Sequence, residues 1–132
     1  MTTFIDTKKL GNQIEALVCD YLQQQKLKLV ARNFRCRLGE IDLIMYDQSI
    51  LVFIEVRYRQ HRNFGSSLES VNFIKQNKII KTAEYYLSSK QLSEKIACRF
   101  DVVGVEPTTE KLSKISKLDS AQVEWIKNAF SR

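Results

Sequence analysis

An α/β fold, with a mixed central β-sheet flanked by α-helices, is what this sequence predicts, and three observations carry the prediction. The periodic segments run in the order helix, strand, hairpin, helix, strand, helix. At the centre, residues 39–46 and 51–59 alternate like strands and are separated by the polar Asp47-Gln48-Ser49. Helical-period segments stand on both sides of that hairpin, at residues 10–25 and 68–89. With 132 residues, the chain can bury one core without staples, and it reads as a single domain over residues 1–132.

Residues 1–9 read as a short arm. In residues 10–25 the apolar positions Leu10, Ile14, Leu17, Val18, Tyr21 and Leu22 follow helical spacing. Glu15 sits at the edge of that stripe, and periodicity alone makes it a solvated flanking glutamate. Residues 26–37 carry Lys26, Lys28, Arg32, Arg35 and Arg37 with no acidic residue, and their alternation fits a strand entering the hairpin. Such cations suit an edge strand that deters pairing. Five without one anion weigh towards facing a phosphate backbone.

The hairpin contains the feature that asks for a function. Asp42 in its first strand and Glu55 in its second interrupt apolar runs with a carboxylate, where burial is costly. Opposed residues of an antiparallel pair have a constant index sum. A four-residue connection, Asp47 to Ile50, pairs Tyr46 with Leu51 and sets Asp42 opposite Glu55, with Cβ atoms roughly 4.5–5.5 Å apart. A three-residue connection throws the two onto opposite faces unless a bulge intervenes. Two anions that close require a proton or a cation between them, and a divalent metal is the economical answer.

Beyond the hairpin, residues 58–67 interleave Tyr58, Arg59, His61, Arg62 and Phe64 ahead of Gly65 and two serines. Such a loop can grip a phosphate backbone and stack on a base, or simply fold Phe64 back on the core. His61 reads as a phosphate contact or an idle surface residue before a catalytic base. In residues 68–89 a stripe of Leu68, Val71, Ile79, Thr82, Ala83 and Tyr86, widened by Ile74, Ile80 and Leu87, predicts the longest helix. Lys75 falls on that stripe with Gln76 beside it. Two readings of Lys75 stand: it snorkels to water, or it enters the carboxylate cleft to stabilise charge on a scissile phosphate. Lys78 and Lys81 fall on the outer face.

Residues 97–105 form another strand, with Asp101 as a third carboxylate, and Pro107 ends it. Residues 106–118 read as a loop. Asp119 or Ser120 can cap a final helix whose Val123, Ile126, Ala129 and Phe130 form a packing face, with Trp125 flanking it as core.

Composition narrows the class. Hydrophobic residues at 44% with 27% charged are globular proportions. Twenty-one Lys and Arg against fifteen Asp and Glu give a net charge of +6, which suits a polyanionic partner. Cys19, Cys36 and Cys98 lack a C-x-x-C spacing and His61 is the sole histidine, so zinc is excluded and reduced thiols are expected. No signal-peptide core and no membrane-length apolar run occurs, so a cytoplasmic protein without membrane contact is expected.

Taken together, Gly11-x-x-x-Glu15, Arg32-Asn33-Phe34-Arg35, Arg37-x-Gly39-Glu40-Ile41-Asp42-Leu43-Ile44 and Val52-Phe53-Ile54-Glu55-Val56-Arg57-Tyr58-Arg59 form an ordered set. Lys75-Gln76, Arg99-Phe100-Asp101-Val102-Val103 and Trp125-Ile126-Lys127-x-Ala129-Phe130 continue it. Over nearly its whole length the chain resembles the YraN-like family of small bacterial proteins, assigned to the PD-(D/E)XK nuclease superfamily. The resemblance implies a restriction-endonuclease-like core close to that of archaeal Holliday-junction resolvases. It makes Asp42 and Glu55 a metal-binding pair for Mg²⁺ or Mn²⁺ and Glu15 an auxiliary acid.

One departure matters. The superfamily's lysine, two residues after the acidic strand residue, is here Arg57, which cannot readily lose a proton but binds phosphate. Either Lys75, with Gln76 beside it, has taken the role, or the site binds without cutting. The expected function is therefore metal-dependent hydrolysis of phosphodiester bonds by an endonuclease selective for structure, acting on nucleic acid, DNA before RNA. Arg32, Arg35, Arg37, Arg59, His61 and Arg62 are the expected nucleic-acid contacts. A non-catalytic nucleic-acid-binding module and a protein-interaction scaffold are the alternatives, and a resolvase role would require a homodimer presenting two sites.

Overall fold

The computed structural model describes residues 7–58, 67–92, 96–106 and 114–132. Helix α1 (Thr7–Gln24) leads into three consecutive strands, β1 (Lys28–Cys36), β2 (Gly39–Asp47) and β3 (Ile50–Tyr58). Helix α2 (Phe73–Ser89) then returns the chain to β4 (Cys98–Val105), and β5 (Val123–Phe130) closes the sequence of elements. The five strands lie in the order β1-β2-β3-β4-β5, antiparallel except for the parallel β3–β4 pair that α2 connects. This is the α/β architecture with a mixed sheet that the sequence predicts, and it is compatible with a restriction-endonuclease-like core.

Each helix covers one face of the sheet. Ile14, Leu17, Val18 and Leu22 of α1 pack with Leu43, Met45, Val52, Ile54, Val103 and Val105. Ile79, Ala83, Tyr86 and Leu87 of α2 pack with Ile44, Leu51, Phe53, Phe100 and Val102. In β3 the two sets alternate residue by residue, as a strand buried on both faces must. Full burial of each large apolar side chain is worth roughly 1.5–3 kcal/mol, a reserve against which buried carboxylates can be held.

The hairpin has the predicted register, Tyr46 opposite Leu51, and Asp47 also pairs with Ile50. The tight turn is thus Gln48-Ser49, with Gln48 in a left-handed conformation at φ +56°. The pairing ends at Leu43 and Ile54, so Asp42 and Glu55 follow directly where the two strands part. The sequence did not show what happens to β2 at that point. Ile41 packs on the α2 side while Leu43 and Met45 pack on the α1 side, so the two-residue period predicted through 41, 43 and 45 breaks at Asp42. Opposite it, between the pairs Arg32–Leu43 and Phe34–Ile41, Asn33 takes φ +53°. A residue in that region interrupts a strand, and the kink carries Asp42 out of the alternation.

Other expectations need correction. The predicted helix over residues 68–89 is a 3₁₀ turn (Leu68–Ser70) followed by α2, whose N-cap Asn72 accepts the Lys75 backbone N–H at 2.9 Å. Ile74, predicted to widen the packed stripe, is exposed, and the buried residues of α2 begin only at Ile79. The predicted C-terminal helix is instead a 3₁₀ turn (Ser120–Gln122), closed by an Asp119 capping box, and the strand β5. Val123, Ile126 and Ala129 mimic helical spacing because β5 bulges against β4 between Phe100 and Val102, with Asn128 at φ +51°. Trp125 packs on the α1 side and donates its Nε1 to Asp101. Of the predicted loop at 106–118, Leu118 is buried against the α1 layer.

Asp101 is a structural node of this architecture. Fully buried, it accepts from Arg99, from Trp125 Nε1 at 2.9 Å and from the Asn128 backbone N–H at 2.9 Å, which fixes the β5 bulge. Arg99 extends the network to Asp47 at 2.9 Å. Among the described residues no helix is long and apolar enough to cross a membrane.

Candidate functional site

Where β2 and β3 part beyond Leu43 and Ile54, Asp42 substitutes for the missing ladder. Its Oδ2 accepts the Val56 backbone N–H at 2.8 Å, which pins the carboxylate between the strands. Burial pushes its pKa up, the Val56 bond opposes this, the Glu40 charge adds to it, and Lys75 and Arg57 counter it. Glu55, only 6% exposed, is raised to about 7 by burial first and by the Asp42 charge second, against the pull of Lys75 and Arg57.

Two helices complete the constellation. Glu15 of α1 is buried rather than solvated as helical periodicity suggests, being 9% exposed. Its pKa is raised to about 7, by burial and then by Asp42, with Arg32 opposing. Its Oε1 is buried without a hydrogen-bond partner. From the opposite layer, Lys75 of α2 places Nζ 3.4 Å from Glu55 Oε1. The kink at Asp42 is what lets one carboxylate meet both layers.

Arg57 is held elsewhere. Its Nε and Nη2 donate to Ser70 Oγ at 3.0 Å and Ser70 O at 2.8 Å, while Nη1 stays 3.8 Å from Glu55 Oε1. Ser70 Oγ donates to Ser67 O at 2.5 Å, and the Ser67 N–H donates to Glu124 Oε1 of β5 at 2.6 Å. Thus the cation two residues after Glu55 is tied into the 3₁₀ turn before α2. Gln76, the neighbour of Lys75, donates its Nε2 to Val71 O at 2.9 Å and steadies that same turn.

The remaining predicted residues scatter. Arg32 and Arg37 are exposed on β1 and on the turn that follows it. Arg35 pairs with Glu40 at 3.1 Å, both side chains more than half exposed, so the pair contributes little to stability. Arg59, His61 and Arg62 lie outside the described residues. A cleft of about 400 Å³, lined by Gly39, Glu40, Asn72, Ile74, Lys75, Lys78 and Ile79, shares Lys75 with the Glu55 ion pair. Its floor is tight at Gly39, where an added Cβ would stand 2.8 Å from Thr82 Oγ1.

Sequence reasoning missed Ser67, Ser70 and Glu124, which carry no local signal. Asn72 did carry one: an Asn immediately before a periodic run is a helix-start signature. The three cysteines are free, with the Cys19 and Cys98 thiols pushed up by burial, so they stand as thiols. Among the described residues no group of three or more His, Cys, Asp or Glu side chains converges as a ready-made metal cage.

The model of the uncharacterised protein family UPF0102 matches residues 14–105. A UPF0102 protein of Coxiella burnetii is 47% identical over 124 residues, covering 94% of this chain and 93% of its own length. A UPF0102 protein of Nitrosococcus oceani is 45% identical over 120 residues, covering 91% and 90%. One of Legionella pneumophila is 41% identical over 124 residues, covering 94% and 96%. The matched span holds Glu15, Asp42, Glu55, Arg57 and Lys75 together, and the chain belongs to the UPF0102 family.

Proposed function

We propose that this protein is a divalent-metal-dependent endonuclease acting on DNA. The observation that carries the reading is the Glu55–Lys75 ion pair at 3.4 Å beside Asp42, whose carboxylate is pinned by the Val56 N–H and whose charge is felt by both Glu55 and the helix acid Glu15. Carboxylates with raised pKa values and few neutralising cations resist full ionisation, and a dication would relieve that resistance. The donors available are all oxygens: Asp42 with Oδ1 free of the Val56 bond, Glu55, and the orphaned Glu15 Oε1. Such a set fits a hard cation, Mg²⁺ or Mn²⁺, that keeps several waters and needs no full protein cage.

Asp42 and Glu55 would hold the ion. Bound there, it supplies Lewis-acid polarisation of a phosphate and a more acidic water. The side chains do the rest. Lys75 stands beside Glu55, where its ammonium can meet the charge that develops on a scissile phosphate. Glu15, titrating near neutrality, can take up a proton at Oε1. Arg57 contributes position and a fixed positive field rather than proton transfer. The basic strand β1 and the net charge of +6 suit a polyanion, and a cytoplasmic site of action accords with DNA as partner.

A second reading draws on Arg57. Without a lysine at that strand position, the fold would serve as a nucleic-acid-binding module that no longer cuts. Calorimetric titration of Mn²⁺ and Mg²⁺ into wild type and the Asp42→Asn/Glu55→Gln variant, followed by assay on duplex, single-stranded, flap and four-way-junction DNA, separates the readings. Metal binding lost in the variant, with metal-dependent cutting, supports the enzyme. Metal-independent affinity that survives Asp42→Asn and falls steeply with salt supports the module. Affinity for a protein surface that is insensitive to salt would indicate a scaffold instead.

A further inference from the structure

The first turn of α2 presents two apolar side chains that the core does not use. Phe73 is 74% exposed and Ile74 68%, while among the described residues none of the other exposed large apolar side chains exceeds 44%. Single surface apolar residues need no explanation. These two are consecutive and sit on a fixed platform, with Asn72 Oδ1 capping the Lys75 N–H and Gln76 Nε2 holding Val71 O, each at 2.9 Å. The next residue, Lys75, reaches Glu55, and Ile74 lines the same cleft as Lys75.

The apolar tip continues into cations. Lys78 and Lys81 follow Ile74 by four and seven residues, which places them on its face of the helix, and both are exposed. The start of β2 meets α2 here, the Gly39 Cβ position lying 3.7 Å from Lys78 O, and the exposed Arg37 precedes Gly39 by two residues.

We propose that Phe73 and Ile74 form a wedge for an unpaired nucleobase next to the scissile phosphate, with Lys78, Lys81 and Arg37 carrying the flanking strand. The preferred substrate is then DNA with unpaired nucleotides, and continuous duplex is a poor ligand. This rests on the nuclease reading of the adjoining cleft. A phenyl ring stacks on the π-face of any base that is free of its own stack. Intact duplex offers an exposed Phe only sugar and phosphate unless a base step is opened. The surrounding lysines complement a polyanion, whereas a second copy of this cationic chain would bring like charges together.

The test measures binding without metal, in EDTA, by anisotropy of labelled single-stranded, flap and duplex DNA of one length, with 2-aminopurine reporting stacking. Wild type should favour the unpaired forms and alter 2-aminopurine fluorescence. Phe73→Ala/Ile74→Ala should weaken single-strand and flap binding by about tenfold, within the range of one lost base stack, and leave duplex binding within about twofold. Both residues are exposed, so the variant should fold, which circular dichroism checks. Equal loss, or no loss, on paired and unpaired DNA overturns the wedge and leaves the nuclease reading standing. A wild-type dimer that becomes a monomer in the variant, with DNA binding unchanged, assigns the patch to self-association and also overturns it. Failure of wild type to bind any DNA form removes the nuclease reading and the wedge with it.

Discussion

Lys75 Nζ lies 3.4 Å from Glu55 Oε1, joining a helix of one layer to the strand it crosses. This pair gives Glu55 its strongest counter-charge, and the same ammonium faces the cleft. On the enzyme reading, Lys75→Ala should lower the cleavage rate by about 10²–10³-fold, the cost of losing one charge-stabilising donor. Mn²⁺ affinity at pH 8 should persist, because the ammonium is a competitor for Glu55 and not a ligand. Single-turnover kinetics with calorimetry reads both, and a lysine needed only for folding would lower Tm instead.

Stability should depend on pH in a defined direction. Glu15 and Glu55 have pKa values near 7 in the fold against 4.5 ordinarily, so the folded state binds protons more tightly than the unfolded one. Their contribution is fully present below about pH 4.5 and is lost as pH rises through about 7. The metal-free protein should therefore melt higher at pH 5 than at pH 8. Asp42→Asn, which removes a charge but keeps an acceptor for Val56, should add about 1–2 kcal/mol at pH 8, roughly 3–8 °C in Tm. At pH 5 the gain should shrink towards zero. Calorimetric melts across that window check the sign.

Metal should reverse this trend. Ligation requires ionised carboxylates, so Mn²⁺ binding at pH 7 should release protons. Titration in buffers of different ionisation enthalpy would count them. Metal at one hundred times its Kd should stabilise wild type by about 2.7 kcal/mol, more at pH 8 than at pH 6. The Asp42→Asn/Glu55→Gln variant should gain nothing.

Arg57 and Ser70 offer a test of position against chemistry. The guanidinium makes two hydrogen bonds to Ser70, and an ammonium cannot reproduce that fork. Arg57→Lys should thus cost about 1 kcal/mol and leave the pH profile of cleavage where it was. An acceleration with a new basic limb in that profile would mean that the strand position, and not Lys75, controls proton transfer.

Much of this protein was legible before its structure. The alternation of 51–57 fixes which side chains of β3 face each helix, and the connection from Asp47 to Ile50 sets the register that pairs Tyr46 with Leu51 and Leu43 with Ile54. Helical periodicity located α1 and the packed half of α2. These are local properties, because strand parity and helical phase depend only on neighbours in the chain.

What the sequence could not encode locally, the packing of layers decided. Periodicity put Glu15 on the solvated edge of its helix, yet α1 lies on the sheet so that the kink at Asp42 buries it. Val123 to Phe130 read as a helix because a bulge shifts their phase, and only pairing with β4 makes them a strand. Ser70 and Glu124 acquire meaning solely through Arg57 and Ser67, partners far away in the chain. The sequence by itself determined the first four strands, the β2–β3 register and the presence of a carboxylate in each hairpin strand. Tertiary structure alone decided which helix brings an acid and which a lysine, because distances between layers are set by packing across the core and not by spacing along the chain.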